Sequence, residues 1–201
     1  MPEANIKHIF TKSAIALLAI ASSVFLFIHI LEYRSETESQ KLAKLVEASL
    51  QEKKWEYADE LTQKFMLRSL NWPLDFEEFG IWDILKLDCN RIKKIDTAWQ
   101  ESSDGKFGFS VQQKIWKSVE LSLPNENRQY FERFELLYQK LGWNSESDTI
   151  EFYDISEKSI SPDIPEGYFP SKQWTLSYLD GNPRPDALLI LFKKLDSCHS
   201  S

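Results

Sequence analysis

The longest pattern along the chain is an interruption of polarity. Residues 13–31, SAIALLAIASSVFLFIHIL, run for 19 positions without a formal charge, close to the ~20 helical residues that cross a ~30 Å hydrocarbon core. The element expected there is one transmembrane helix, an uncleaved anchor. A cleaved signal peptide is the rival, because Ala19-Ile20-Ala21 mimics a cleavage signal; the bulky run Val24-Phe25-Leu26-Phe27-Ile28 continues beyond it. A buried core helix is the third reading. Lys7 and Lys12 precede the run, and Arg34, Lys41 and Lys44 follow it; this excess of one cation leans towards a cytoplasmic body.

After the run the period becomes helical. Ser35-x-x-Glu38 reads as a capping box, followed by a stripe of Leu42, Leu45, Val46 and Leu50. A second stripe holds Trp55, Ala58, Leu61, Thr62, Phe65 and Met66, so the polar Gln51 to Lys54 segment predicts the turn of an antiparallel helical hairpin. Asn71-Trp72-Pro73 breaks the pattern. Helical spacing resumes with Cys89, Ile92, Ile95, Asp96 and Trp99 until Ser102-Ser103-Asp104-Gly105. Ser110-x-x-Gln113 reads as another capping box, with Val111, Ile115, Trp116 and Val119 as its apolar face. A further helix carries Tyr130, Phe131, Phe134, Leu137, Tyr138 and Leu141 and stops at Gly142. Prolines 162, 165, 170, 183 and 185 then mark a loop-rich region, in which Ile150 to Ile155 fits a short strand without a partner. Asp186 is placed to cap a last helix, Ala187 to Leu195. The expected fold is all-α: a tail (1–12), the anchor (13–31), a linker and helix start (32–40), one compact helical domain (41–198) and a tail (199–201).

Composition narrows the chemistry. With 42% apolar and 27% charged residues, the 201-residue chain suits a single globular domain. Its net charge is −7, and 22 Lys and Arg stand against 30 Asp and Glu from Glu32 onward. An acidic body is a poor partner for a phosphate backbone, so nucleic acid is excluded as a partner. Histidine occurs only at 8, 29 and 199, which removes His-based zinc sites, Ser-His and Cys-His pairs and axial haem ligation from the body. No catalytic residue and no metal site is therefore assigned. Cys89 and Cys198, 109 residues apart, and the absence of Asn-x-Ser/Thr sequences are compatible with a reducing compartment.

One string is specific. Ile95-Asp96-x-x-Trp99, then Gly105-Lys106-Phe107-Gly108-Phe109-Ser110-Val111-Gln112 and Ile115-Trp116, resembles the genomes-uncoupled-four family of tetrapyrrole-binding regulators. Upstream, Trp55-Glu56-Tyr57-Ala58-Asp59 is similar to that family's Trp-x-x-Ala-Asp helix; downstream, Leu141-Gly142-Trp143 and Pro165-Glu166-Gly167-Tyr168-Phe169-Pro170-Ser171 resemble its Gly-Trp and Gly-His-Leu-Pro segments. Three departures stand out: Tyr168 replaces the usual His, Asp88 stands where the family often has Pro, and the segment after Gly142-Trp143 is acidic and Ser-rich. The resemblance implies a helical domain whose concave aromatic cavity holds protoporphyrin IX or Mg-protoporphyrin IX. It also implies a regulatory protein rather than an enzyme, one that stimulates or supplies magnesium chelatase in chlorophyll biosynthesis through the large porphyrin-binding subunit. The alternative is a membrane-tethered sensory or interaction module that has lost the pigment.

A tetrapyrrole needs a broad apolar face for its ring and cations or amides for its propionates. Gly105 and Gly108 permit a tight turn that gathers Phe107 and Phe109. With Trp99 these are the candidate ring contacts, their competing role being to fill the core. Asp96 and Asp59 are expected to bond backbone or cap helices. On the resemblance, Arg184 is the candidate propionate contact, with Lys172, Asn182 and Tyr168 nearby. Arg91, Lys93 and Lys94 form an alternative cationic rim. With chelatase as partner, the body is expected on the cytoplasmic or plastid stromal side.

Overall fold

A computed structural model describes residues 3–70, 81–122, 130–143, 164–171 and 185–199. All regular structure among them is helical: α1 (Glu3–Gln51), α2 (Trp55–Ser69), α3 (Ile81–Lys86), α4 (Cys89–Ser102), α5 (Phe109–Ser122), α6 (Tyr130–Leu141) and α7 (Pro185–His199). The candidate strand at 150–155 and the break at 71–73 lie outside the described residues.

The first helix overturns the expected start at Ser35. It runs unbroken for 49 residues, with neither Gly nor Pro inside it, so nothing local ends it. Ser35 is no cap; its buried hydroxyl donates to the carbonyl of Arg68 at 2.7 Å and ties α1 to the end of α2. That bond makes the two helices antiparallel, and the expected turn follows Gln51, with Lys53 at φ 59°. Among the described residues no helix is long and apolar enough to cross a membrane. The transmembrane expectation for 13–31 is not supported among them.

The C-terminal half of α1 packs on α2 and α4, α7 lies against α3, α4 and α5, and α5 meets α6. The core between them includes Leu50, Ile84, Leu137 and Leu188, all closed to solvent. Helix α6 stops where Gly142 takes φ +74°, a conformation that favours glycine. A Cβ at Gly142 would also lie 2.6 Å from Pro165 Cγ. Helix α7 begins at Pro185, a residue suited to a first helical position. Cys89, at the start of α4, and Cys198, near the end of α7, form a disulfide with Cα atoms 5.4 Å apart. The fold brings together positions that the sequence separates by 109 residues.

Candidate functional site

The residues that carry the family-like motifs converge on one seam. Helix α4 ends at Ser102, and the turn that follows carries Gly105 at φ +77° and Gly108 at φ +132°. Ser103 Oγ braces this turn, donating to the Trp99 carbonyl at 2.7 Å and accepting from the N–H of Phe107 at 2.9 Å. The segment Ile164 to Ser171 lies along the turn. The N–H of Gly167 donates to the Lys106 carbonyl at 2.8 Å, and that of Gly108 to the Phe169 carbonyl at 3.0 Å. Buried Gln112 adds two bonds from Nε2, to the carbonyls of Gly167 (2.9 Å) and Pro170 (2.8 Å). Its Oε1 is buried without a partner.

Two buried aspartates hold the seam at its ends. Asp96 Oδ1 accepts from the Ser110 N–H at 2.9 Å, Oδ2 accepts from Gln100 Nε2 at 2.9 Å, and the Ser110 hydroxyl donates to Oδ2. Ser110 is therefore not the cap of α5, as its spacing to Gln113 had suggested. It lies one residue inside the helix, and the carboxylate that caps it comes from α4. Burial pushes the Asp96 carboxyl above its ordinary value, opposed by the Ser110, Phe109 and Gln100 hydrogen bonds. Asp59 on α2 accepts from the N–H and hydroxyl of Ser171. Both aspartates thus accept from backbone N–H groups, one of the two roles expected of them. Asp88, the departure from the family's Pro, is the N-cap of α4 and accepts from the Arg91 N–H at 3.1 Å.

Inside the seam the aromatic rings close on one another. Trp99 stacks on Phe169 at 5.7 Å and on Trp55 at 6.1 Å, while Phe107 meets Trp55 and Phe169 edge-on at 5.3 Å. Trp99 Nε1 donates to Thr62 Oγ1 at 3.0 Å. Trp99 and Phe107 are 0% and Phe109 1% exposed, so these expected ring contacts present no open face; they fill the core. Tyr168 is buried too, edge-on to Phe169 at 4.8 Å, and its carbonyl accepts from Trp143 Nε1 at 2.9 Å.

The cations are more dispersed. Arg91 pairs with Glu36 on α1. Lys93 and Lys94 line a groove of about 530 Å³ between α1 and α4, where Lys94 lies 3.1 Å from Glu47. That groove has no aromatic wall. Arg184, Lys172 and Asn182 lie outside the described residues. A flat porphyrin face requires an open apolar wall, and the described residues do not form one around the predicted rings. Gln112, Ser103 and Thr62, which organise the seam, were not singled out by spacing; a buried amide or hydroxyl gives no periodic signal.

These features define a class: an all-helical domain on a long helical hairpin, with a glycine turn locked to a proline-containing segment from far along the chain. The chain belongs to the GUN4-like family, which residues 35–180 match. It is 33% identical over 93 residues to the protein ycf53 of Porphyra purpurea, covering 43% of this chain and 32% of that one. The likeness to ycf53 of Pyropia yezoensis is 31% over 120 residues, 56% of this chain and 43% of that one. The chain thus spans less than half the length of these curated relatives. Its fold is similar to the ligand-free structure of GUN4 from Arabidopsis thaliana, with a TM-score of 0.51 at 19% identity over 75% of this chain and 91% of that one.

Proposed function

We propose that the chain is a membrane-tethered tetrapyrrole-binding regulator. In this reading the body takes protoporphyrin IX or Mg-protoporphyrin IX and works with the large subunit of magnesium chelatase, without catalysing a reaction itself. Membership of the GUN4-like family over residues 35–180 carries the reading. The two segments that carry the family-like motifs, 105–112 and 165–171, are also those laced together at the seam. In this reading Trp99, Phe107 and Phe109 contact the pigment ring only when the core that they fill opens to admit it, and Arg184, with Lys172 and Asn182, meets the propionates. The closed aromatic core favours a second reading, a pigment-free interaction module of the same fold.

Titration of protoporphyrin IX into the full chain in detergent separates the two. A Soret shift with tryptophan quenching, weakened several-fold by Arg184→Ala, is expected of the regulator. No spectral change with folded protein would assign the chain to the pigment-free module.

The tether is proposed at residues 13–31, with the body on the cytoplasmic or stromal side, where the chelatase partner would be met. Three features support it. Helix α1 continues through the run. Leu18, Ile20, Val24, Phe25, Leu26, Phe27, Ile28, Ile30 and Leu31 are all exposed, an apolar surface directed all round the helix. Ser22 and Ser23 return their hydroxyls to the helix carbonyls of Leu18 and Ile20, each at 2.8 Å, as polar groups in lipid must. Carbonate extraction should leave the full chain in the membrane pellet; its release would remove the tether.

A further inference from the structure

At the level where the apolar run of α1 gives way to the body, α1 and the end of α2 enclose a groove of about 460 Å³. Ile28 and Leu31 form its apolar end, Arg34, Ser35 and Arg68 its polar end, and Glu32 and Glu38 complete it. We propose that this groove binds one anionic membrane phospholipid, with Arg34 and Arg68 on its phosphodiester and an acyl chain along Ile28 and Leu31. The proposal rests on the membrane tether.

The vertical spacing fits. From Ile28 to Arg34 the helix rises about 9 Å, which carries the groove from the edge of the hydrocarbon across a headgroup layer roughly 5–8 Å deep. An amphipathic ligand is thereby matched end to end, whereas free phosphate would leave the apolar end unused. The Ser35 hydroxyl bond to the Arg68 carbonyl fixes the two helices so that both guanidinium groups line the same groove.

Charge decides the lipid class. Glu38 lies 2.8 Å from Arg68 Nε, and Glu32 lies 3.4 Å from His29 Nδ1. The Arg68 Nε–H is buried yet finds no aligned acceptor, so the Glu38 contact does not satisfy it. Arg34 is exposed and enters no ion pair among the described residues. Two arginines and two glutamates line the groove, and Arg34 is the cation among them that enters no ion pair among the described residues, so it is the group left to take the single negative charge of a phosphodiester such as phosphatidylglycerol. A phosphomonoester dianion would bring a second charge towards Glu32 and Glu38.

The test reconstitutes the full chain into phosphatidylcholine nanodiscs containing a minor fraction of phosphatidylglycerol and counts the lipids retained after release, by native mass spectrometry. One phosphatidylglycerol per chain should be retained in preference to phosphatidylcholine. Arg34→Gln should weaken that preference about five-fold, the worth of one cation near an anionic surface, and Arg34→Lys should keep most of it. Arg68→Gln should act in the same direction, with a thermal melt to register loss of its Glu38 contact. Inserted protein with no phosphatidylglycerol preference, or an unchanged preference in Arg34→Gln, overturns the site and leaves the tether standing. Displacement of the lipid by inorganic phosphate at millimolar concentration also overturns it. Release of the chain by carbonate overturns tether and lipid site together.

Discussion

Asp59 on α2 receives both the backbone N–H and the hydroxyl of Ser171, at 2.7 to 3.0 Å, across 112 residues of chain. The carboxylate is 1% exposed, so these bonds stand in for the water it has lost. Through them the first hairpin holds the segment that closes the aromatic core.

Removing that acceptor should loosen the segment before it unfolds the domain. Asp59→Ala is expected to cost about 3 kcal/mol in urea unfolding, the scale of a buried charge-assisted pair, and Asp59→Asn roughly half. Hydrogen exchange at Ser171, Gly167 and Gly108 should accelerate together, because the last two donate across the same seam. Protection at those amides unchanged in Asp59→Ala would show that the seam stands without the aspartate.

Asp96 gives the seam a pH signature. Its folded pKa is raised above the ordinary 3.8 by burial, so the folded state holds this proton more tightly than the unfolded one. The contribution is fully present below the unfolded pKa and is lost as pH rises through the folded value. The stability of the wild-type chain minus that of Asp96→Asn should therefore fall as pH rises across this window and flatten above it. Denaturant melts at half-unit pH intervals read the difference, and a flat difference contradicts the assignment.

Two glycines in the turn should respond unequally to alanine. At Gly108 (φ +132°) a Cβ would meet Asp96 Oδ1 at 2.8 Å, whereas at Gly105 (φ +77°) nothing lies within 4 Å. Gly105→Ala should cost about 1 kcal/mol from backbone strain alone, and Gly108→Ala at least about 2 kcal/mol. Equal melting temperatures for the two variants would refute the close approach.

Reduction should act on the last helix first. A cross-link closing a loop of this length constrains the unfolded chain by up to about 5 kcal/mol. Dithiothreitol and Cys198→Ser should lower the melting temperature alike, and the reductant should have no further effect on the variant. Cys198 readily alkylated in untreated native protein would show that the pair is not formed.

The sequence made the helices legible where stop signals are local. The turn at 51–54 and the end of α6 at Gly142 depend on residues beside them, and each appears where the pattern placed it. Ser35 and Ser110 misled because a Ser-x-x-Glu or Ser-x-x-Gln spacing reports only what a hydroxyl can reach along the chain. Their actual partners, the Arg68 carbonyl and the Asp96 carboxylate, come from other helices. The rings of Trp99 and Phe107 were readable as aromatic neighbours of the Gly turn, but not as closed to solvent. An apolar ring carries the same signature whether it faces a ligand or another ring. The Cys89–Cys198 pairing was invisible for a related reason, since its proximity is produced by the packing of α7 near α4.

The unbroken first helix has a mechanical consequence. Forty-nine residues of α-helix make a rod about 74 Å long, and its far half is cemented to α2 by the Ser35–Arg68 bond and the shared core. A body mounted on such a rod does not swing as it would on a flexible leash. On the proposed tether, tilt or rotation of the helix in the bilayer becomes tilt or rotation of the whole domain, so lipid thickness would set which face of the body is presented at the membrane surface.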